Sequence, residues 1–227
     1  MIESTYAVNR FPIDTPWIRV QSWKRLFEGT FSQNTRWQWL AADKLNKWFV
    51  HASRRGTPRF STPQHYQAKD TSSPFISNFY AEADADGDSE LPLVVNSLLF
   101  IVEYFRQYEI EPTDFRFWFT GGRSFHTELP FQFFGVMPSS TLHEYWKYVG
   151  NLLNDAMPDN CLPLDTSIYN VSRMWRLPNS VHQKRGFYKI ELSYDEIQRL
   201  SIPEIREMSR NPRPSFVSDR QFETYAL

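Results

Sequence analysis

The stretch Phe115-Arg-Phe-Trp-Phe-Thr-Gly-Gly-Arg-Ser-Phe-His-Thr127 carries the clearest structural signal in the chain. Phenylalanines alternate with Arg, Trp and Thr over residues 115–120, the period-2 pattern of a β-strand with one buried face. The following Gly-Gly pair predicts a tight turn. Ser124 and His126 then fall on one face of the next extended segment, because successive side chains of a strand point to opposite faces.

Helices and strands interleave along the rest of the chain without a regular βαβ rhythm. Apolar spacing and end signals predict helices over residues 35–56, 92–107 and 141–156, with capping boxes at Thr141-Leu-His-Glu144, Ser193-Tyr-Asp-Glu196 and Ser201-Ile-Pro-Glu204. Strands are predicted over residues 75–86 and 187–192. This order predicts an α+β fold with a mixed or antiparallel sheet.

The polar, irregular stretch over residues 56–73 predicts a surface loop between two parts of the chain. We therefore expect an N-terminal αβ module over residues 1–72 that packs on a core over residues 73–227. The core is expected to end in a helical C-terminal tail.

Composition excludes several classes of protein. The 227 residues are 41% hydrophobic and 17% aromatic, which excludes a disordered chain. No apolar run is long enough to span a bilayer, and residues 1–10 lack the pattern of a signal peptide, so a cytoplasmic protein is expected. A single cysteine, Cys161, excludes an internal disulfide and a multi-cysteine zinc site.

The net charge of −1 conceals an uneven distribution. Residues 1–60 carry ten basic and four acidic side chains, residues 61–170 five and fifteen, and residues 171–227 ten and seven. An acidic middle between basic flanks fits a carboxylate metal site beside anion-binding surfaces. Ordinary solvated charge fits it equally well.

Three stretches could carry chemistry. In Phe79-Tyr-Ala-Glu-Ala-Asp-Ala-Asp-Gly-Asp88, the strand alternation puts Glu82 and Asp84 on one face, and small alanines leave room for divalent cations. In Thr120–Thr127, the Gly-Gly turn with Arg123, Ser124 and His126 could cradle a polyphosphate. Over residues 165–190, a single acid, Asp165, precedes a run of basic side chains suited to phosphate: Arg173, Arg176, His182, Lys184 and Arg185. Each stretch alone also fits a structural role, as a solvated turn, a hairpin and a basic surface loop.

Taken in order, the three stretches resemble the archaeo-eukaryotic primase superfamily, particularly its primase-polymerase branch. That family has a carboxylate-x-carboxylate pair at a strand end, then Ser-x-His, then Asp-x-x-x-Tyr-x-x-x-Arg-x-x-Arg-Leu-x-x-Ser. Here the third pattern runs from Asp165 through Arg173 and Arg176 to Ser180. The resemblance covers roughly residues 75–192.

The resemblance implies an RRM-like catalytic core fused to the N-terminal module, and a two-metal nucleotidyl transferase. The expected metal ligands for Mg²⁺ or Mn²⁺ are Glu82, Asp84, Asp86 and Asp165, where the pair is either Glu82 with Asp84 or Asp84 with Asp86. The expected nucleotide-binding residues are Arg123, Ser124, His126, Arg173, Arg176, Ser180, His182 and Lys184. Many relatives carry a Cys/His zinc knob, and a chain with one cysteine is not expected to hold that zinc.

The resemblance also implies partners. A primase-polymerase would use a single-stranded DNA template with NTPs or dNTPs, at the site of DNA replication, together with a replicative helicase domain or subunit. Two alternatives stay open: a primer-dependent repair or gap-filling polymerase of the same superfamily, and a non-catalytic module that binds single-stranded nucleic acid.

Overall fold

The computed structural model describes residues 16–25, 31–32, 37–45, 47–48 and 57–213. The strands in chain order are β1 (Trp17–Ser22), β2 (Lys24–Arg25), β3 (Phe31–Ser32), β4 (Gln38–Ala41), β5 (Arg59–Ser61), β6 (His65–Tyr66), β7 (Phe75–Ile76), β8 (Phe79–Asp84), β9 (Arg116–Phe119), β10 (Ser124–Leu129), β11 (Trp175–Arg176) and β12 (Ile190–Leu192). The helices are α1 (Leu91–Arg106), α2 (Leu142–Ala156), α3 (Tyr194–Arg199) and α4 (Ile202–Met208).

Two antiparallel sheets organise these elements. The first sheet has the order β11-β5-β1-β6-β7, with β4 also paired to β1. The second sheet has the order β12-β9-β10-β8. Strands β2 and β3 form a separate ribbon. The predicted α+β class with an antiparallel sheet and packed helices is confirmed.

The main core lies between the second sheet and its helices. Phe79, Ala81 and Ala83 of β8 are buried, as are Phe117 and Phe119 of β9 and the apolar stripe of α1. The ring of Phe79 lies 5.7 Å from that of Trp146 on α2. We call this covered side the helix face of the second sheet.

The first sheet draws strands from distant parts of the chain. Strand β7 follows residue 72, and β11 pairs with β5 across more than a hundred residues. The segment that carries β11 therefore ties the first sheet to the second. The division into residues 1–72 and 73–227 stays a prediction.

Three local expectations are wrong. Residues 38–41 of the predicted helix over 35–56 form β4 against β1, and a single 3₁₀ turn follows at residues 42–44, because ladder hydrogen bonds outweigh the helical spacing. Helical backbone appears only at residues 45 and 47–48, and residues 46 and 49–56 lie outside the described part of the chain. The stretch predicted as a surface loop contains β5 and β6, with residues 58–62 buried.

The third concerns Thr141. Its side chain makes no cap hydrogen bond at the start of α2, and Ser139 Oγ accepts from the Thr141 backbone N–H at 3.1 Å instead. The capping boxes at Ser193 and Ser201 are both present. No helix among the described residues is long and apolar enough to cross a membrane.

Candidate active site

The face of the second sheet opposite its helices carries the predicted polar residues. In the β8–β10 ladder, Glu82 lies opposite His126 and Asp84 lies opposite Ser124. Strand β9 adds Trp118 beside His126. The predicted alternation therefore brings the first two motifs together on one surface, which we call the cavity face.

The turn between β9 and β10 depends on its two glycines. Gly121 has φ +77°, and a Cβ there would lie 2.7 Å from the Phe187 carbonyl oxygen. A Cβ on Gly122 would lie 2.9 Å from Nε2 of His182. Residues with side chains would strain the first position and displace the histidine at the second.

A cavity of about 390 Å³ opens above this turn. The predicted site residues that line it are Glu82, Asp84, Arg123, Ser124, His126, Arg173, Arg176, His182 and Lys184. Arg185 of the predicted basic run also lines it, as do residues that the sequence did not single out: Phe60, Thr120, Gly122, Met174, Trp175 and Gln183. Five permanent cations and two carboxylates surround the space, so the cavity favours an anion.

Glu82 is the most strongly paired carboxylate of the cavity. Its Oε1 lies 3.2 Å from His126 Nε2, and its Oε2 accepts from Arg173 Nη2 at 2.7 Å. Burial alone would raise the pKa of Glu82, but His126 and Arg173 outweigh burial and hold that pKa well below its usual range. Glu82 is therefore ionised at neutral pH, with both oxygens engaged.

Asp84 lies at the exposed end of β8. Burial of its carboxyl and the negative charges of Glu82 and Asp165 raise the pKa of Asp84, and the nearby Arg123 opposes them. Like-charge repulsion among carboxylates is the condition that a bound cation relieves.

The two arginines of the third motif have donors to spare. Arg176 donates through Nη1 to the Thr120 carbonyl at 2.7 Å and through Nη2 to Gln183 at 2.9 Å. The buried Nε atoms of Arg173 and Arg176 have no hydrogen-bond partner among the described residues. Burial lowers the pKa of Arg176 to about 10, so its guanidinium stays charged at neutral pH.

Three neighbours hold the His126 ring: Glu82, Trp175 and Lys189. The ring stacks on Trp175 with centroids 4.0 Å apart, and its Nδ1 lies 3.0 Å from Nζ of Lys189. Burial and the Lys189 charge lower the pKa of His126 to about 4, so the ring is neutral at pH 7.

The loop after Arg176 closes the other side of the cavity. His182 Nδ1 accepts from the Lys184 backbone N–H at 3.2 Å, and burial lowers the pKa of His182 to about 3. Arg185 reaches across to Asp88 at 3.4 Å. The neutral His182 thus turns Nε2 towards the Gly122 turn.

Three predicted site residues do not line the cavity. Asp86 is exposed beyond the end of β8, and its backbone N–H donates to Glu90. Asp165 donates its backbone N–H to the Glu82 carbonyl at 2.9 Å, while its carboxylate caps Ser167. Ser180 is fully buried and donates to the Arg59 carbonyl, so it joins the third motif to β5.

Sequence reasoning missed Lys189 and Trp175. Lys189 and Glu191 alternate with Tyr188, Ile190 and Leu192, a pattern typical of a strand with one solvated face. Both charged residues are instead buried, Lys189 beside Trp175 of the first sheet and Glu191 in an ion pair with Arg116. The signal available in the sequence was a lysine that alternates with apolar residues close to the third motif, which could have marked Lys189 as a site residue.

A divalent cation fits this donor set in part. Carboxylate oxygens are the ligands that Mg²⁺ and Mn²⁺ prefer, and Asp84 carries an unrelieved repulsion from Glu82 and Asp165. However, no group of three or more acidic, histidine or cysteine side chains in the described ranges is close enough to hold a metal ion. In this arrangement the Arg173 guanidinium already neutralises Glu82, and His126 occupies its other oxygen.

Comparison with known proteins shows the fold. No protein-family model matches the sequence, and no curated protein matches it. The polymerase domain of ligase D from Mycobacterium tuberculosis, solved in complex with DNA, is similar with a TM-score of 0.52 and 12% identity over 93% of this chain and 86% of that chain. The primase-polymerase domain of cyanophage S-2L matches with a TM-score of 0.45 and 18% identity, over 79% of this chain and 81% of that chain.

The class of fold follows from the first of these structures. The chain shares the fold of the ligase D polymerase domain. At 12% identity, this likeness identifies the architecture and leaves the activity to the residues of the cavity.

Proposed function

We propose that the protein is a metal-dependent nucleotidyl transferase that synthesises primers and extends them on a single-stranded DNA template. The observation that carries the proposal is the cavity itself, in which five permanently charged basic side chains, Arg173 and Arg176 among them, surround Glu82 and Asp84. Basic side chains for phosphate beside carboxylates for divalent cations are what a nucleoside triphosphate with its cations requires.

The triphosphate would be bound by this chain's own cations and hydroxyl. Arg176, Lys184 and the Nε2–H of His182 would hold phosphate oxygens, with Ser124 and Arg123 at the turn. Arg173 would exchange one Glu82 oxygen for a phosphate oxygen. That exchange keeps the guanidinium paired and frees Glu82, so nucleotide binding and the carboxylate site are coupled.

Asp84, Asp165 and the freed Glu82 would hold Mg²⁺ or Mn²⁺. When bound there, the cations lower the pKa of the attacking 3′-hydroxyl and stabilise the charge that develops on the α-phosphate as pyrophosphate leaves. The chain's part is to align the α-phosphate with the hydroxyl. Asp86 is exposed beyond the strand, which favours Glu82 with Asp84 as the pair.

The DNA template is proposed on two grounds. The similar ligase D polymerase domain was solved with DNA, and the acidic excess of residues 61–170 leaves the basic flanks for a phosphate backbone. Use of NTPs or dNTPs, a helicase partner and a location at the replication site stay predictions.

The test compares nucleotide incorporation by wild type, Asp84→Asn and Asp165→Asn, with labelled nucleotides, single-stranded DNA and Mn²⁺ or Mg²⁺. Each variant should lose on the order of 100-fold or more in rate, the size expected when a group that stabilises developing charge is removed. The matched control is Asp155→Asn on the exposed surface of α2, which should retain full activity.

Template choice separates the candidate functions. Dinucleotide products from unprimed DNA support a primase, whereas extension restricted to primed DNA supports the gap-filling alternative. DNA binding that is indifferent to chelation of divalent cations, without incorporation on any template, would mean a non-catalytic binding module. An active Asp84→Asn variant would overturn the metal assignment.

A further inference from the structure

Lys189 is a buried amine next to the proposed nucleotide site. It precedes β12 and is 2% exposed. Its Nζ lies 4.9 Å from the ring centroids of both Trp118 and Trp175, and it forms no ion pair with a carboxylate of the described residues. Burying a charged amine without a carboxylate is costly, so its contact with His126 needs a reason beyond packing.

The partners of His126 determine which ring nitrogen carries hydrogen. Nε2 faces Glu82 Oε1 at 3.2 Å, and an ionised carboxylate only accepts hydrogen bonds. Nε2 therefore donates. Nδ1 faces Nζ of Lys189 at 3.0 Å, and the one hydrogen of a neutral ring is already on Nε2. Nδ1 therefore accepts, and Lys189 is its donor.

We propose that Lys189 is a positioning residue that holds His126 as the Nε2–H tautomer, with this N–H on the side of Glu82 and the cavity. Its consequence for nucleotide binding rests on the proposed function, whereas the tautomer itself does not.

The orientation matters because phosphate oxygens only accept hydrogen bonds. A neutral histidine donates through one nitrogen, so a ring of the opposite tautomer would present a lone pair to the phosphate. Stacking on Trp175 fixes the ring plane. Glu82 and Lys189 together set the direction of the N–H within that plane, Glu82 as the acceptor at Nε2 and Lys189 as the donor at Nδ1.

The first measurement is the tautomer of His126 in the nucleotide-free protein. Long-range ¹H–¹⁵N spectra of protein labelled at histidine distinguish the two tautomers, and the His126→Gln spectrum assigns the signals. Wild type should show Nε2–H with unprotonated Nδ1. A wild-type His126 that is protonated at Nδ1 would overturn the proposal without any Lys189 variant.

The second measurement uses Lys189→Met, which keeps the unbranched body against Trp118 and Trp175 but removes the donors. The Nδ1–H tautomer of His126, which Glu82 then opposes alone, should become detectable beside Nε2–H, and the affinity for a non-hydrolysable nucleoside triphosphate should fall about tenfold. Lys189→Arg keeps a donor and has room in the neighbouring cavity of about 150 Å³, so it should restore the tautomer and much of the affinity.

Glu191→Gln, two residues further along the chain, is the matched control. Glu191 is 5% exposed and pairs with Arg116 at 2.9 Å, so its loss perturbs a buried charge without removing the Lys189 donor. It should leave the tautomer unchanged. An unchanged His126 tautomer in Lys189→Met would reduce Lys189 to a packing role. A shifted tautomer in a protein that binds no triphosphate would refute the proposed function and leave the positioning intact.

Discussion

The two faces of the second sheet are built from the same strands and have opposite chemistry. On β10, Phe125 points into the helix face, while its neighbours Ser124 and His126 point to the cavity face. The helix face is closed by apolar packing. The cavity face is also largely covered, yet its buried groups are charged or polar, and some of them pair with one another, as Arg173 does with Glu82. A buried surface can thus be either core or site, and only the side chains decide which.

The largest effect should come from Phe125→Ala on the helix face. Phe125 is fully buried and its ring lies 5.2 Å from that of Phe119. Its truncation should cost about 3–5 kcal/mol in the free energy of unfolding, measured by denaturant titration. The fraction that stays folded should bind triphosphate as wild type does. A selective loss of affinity would mean that the two faces are not separable.

Arg176→Met, on the cavity face, should reduce triphosphate binding rather than mainly the free energy of unfolding. We expect triphosphate affinity to fall about 10- to 100-fold, measured by calorimetric titration, because charge-assisted hydrogen bonds to phosphate are lost. Arg199→Met, at a 76% exposed side chain, is the control and should bind normally. Unchanged affinity in Arg176→Met would place the anion elsewhere.

A pH series should reveal the cost of charge on the cavity face. Burial lowers the pKa of Lys189 to about 7, so between that pH and its ordinary value of 10.5 the unfolded chain binds more protons than the folded protein. The free energy of unfolding of wild type should therefore rise with pH in this window, relative to Lys189→Met, by at most about 1.4 kcal/mol per pH unit. Denaturant titrations of both proteins check this, and a difference independent of pH would show that the amine is not desolvated.

The smallest effect should come from Thr120→Val. Its hydroxyl lies 2.9 Å from Ser124 Oγ and accepts from the Gly122 N–H at 3.3 Å. The substitution should lower the free energy of unfolding by about 1 kcal/mol, measured by thermal unfolding. It should also loosen Ser124, so a modest drop in triphosphate affinity is expected. A larger drop than in Arg176→Met would make the hydroxyl pair the principal anion site.

Sequence alone predicted what depends on neighbours in the chain. Alternation placed Ser124 and His126 on one face, and the capping boxes at Ser193 and Ser201 formed because caps use local hydrogen bonds. Residues 38–41 became a strand because their partner, β1, lies outside any local window.

The burial of Lys189 was equally hidden from the sequence. Its alternation with apolar neighbours is the same whether the polar side faces water or another sheet. The meeting of Arg173 with Glu82 also depends on the route of the third motif between sheets, which spacing along the chain does not specify.

The route of that motif has a mechanical consequence. Trp175 and Arg176 belong to the first sheet through β11, yet Arg176 also holds the Thr120 carbonyl at the end of β9 in the second. An anion bound by both Arg176 and the Gly121–Gly122 turn would link the two sheets. Ligand binding should therefore protect backbone amides of β5 and β9 alike from hydrogen exchange, although these strands belong to different sheets.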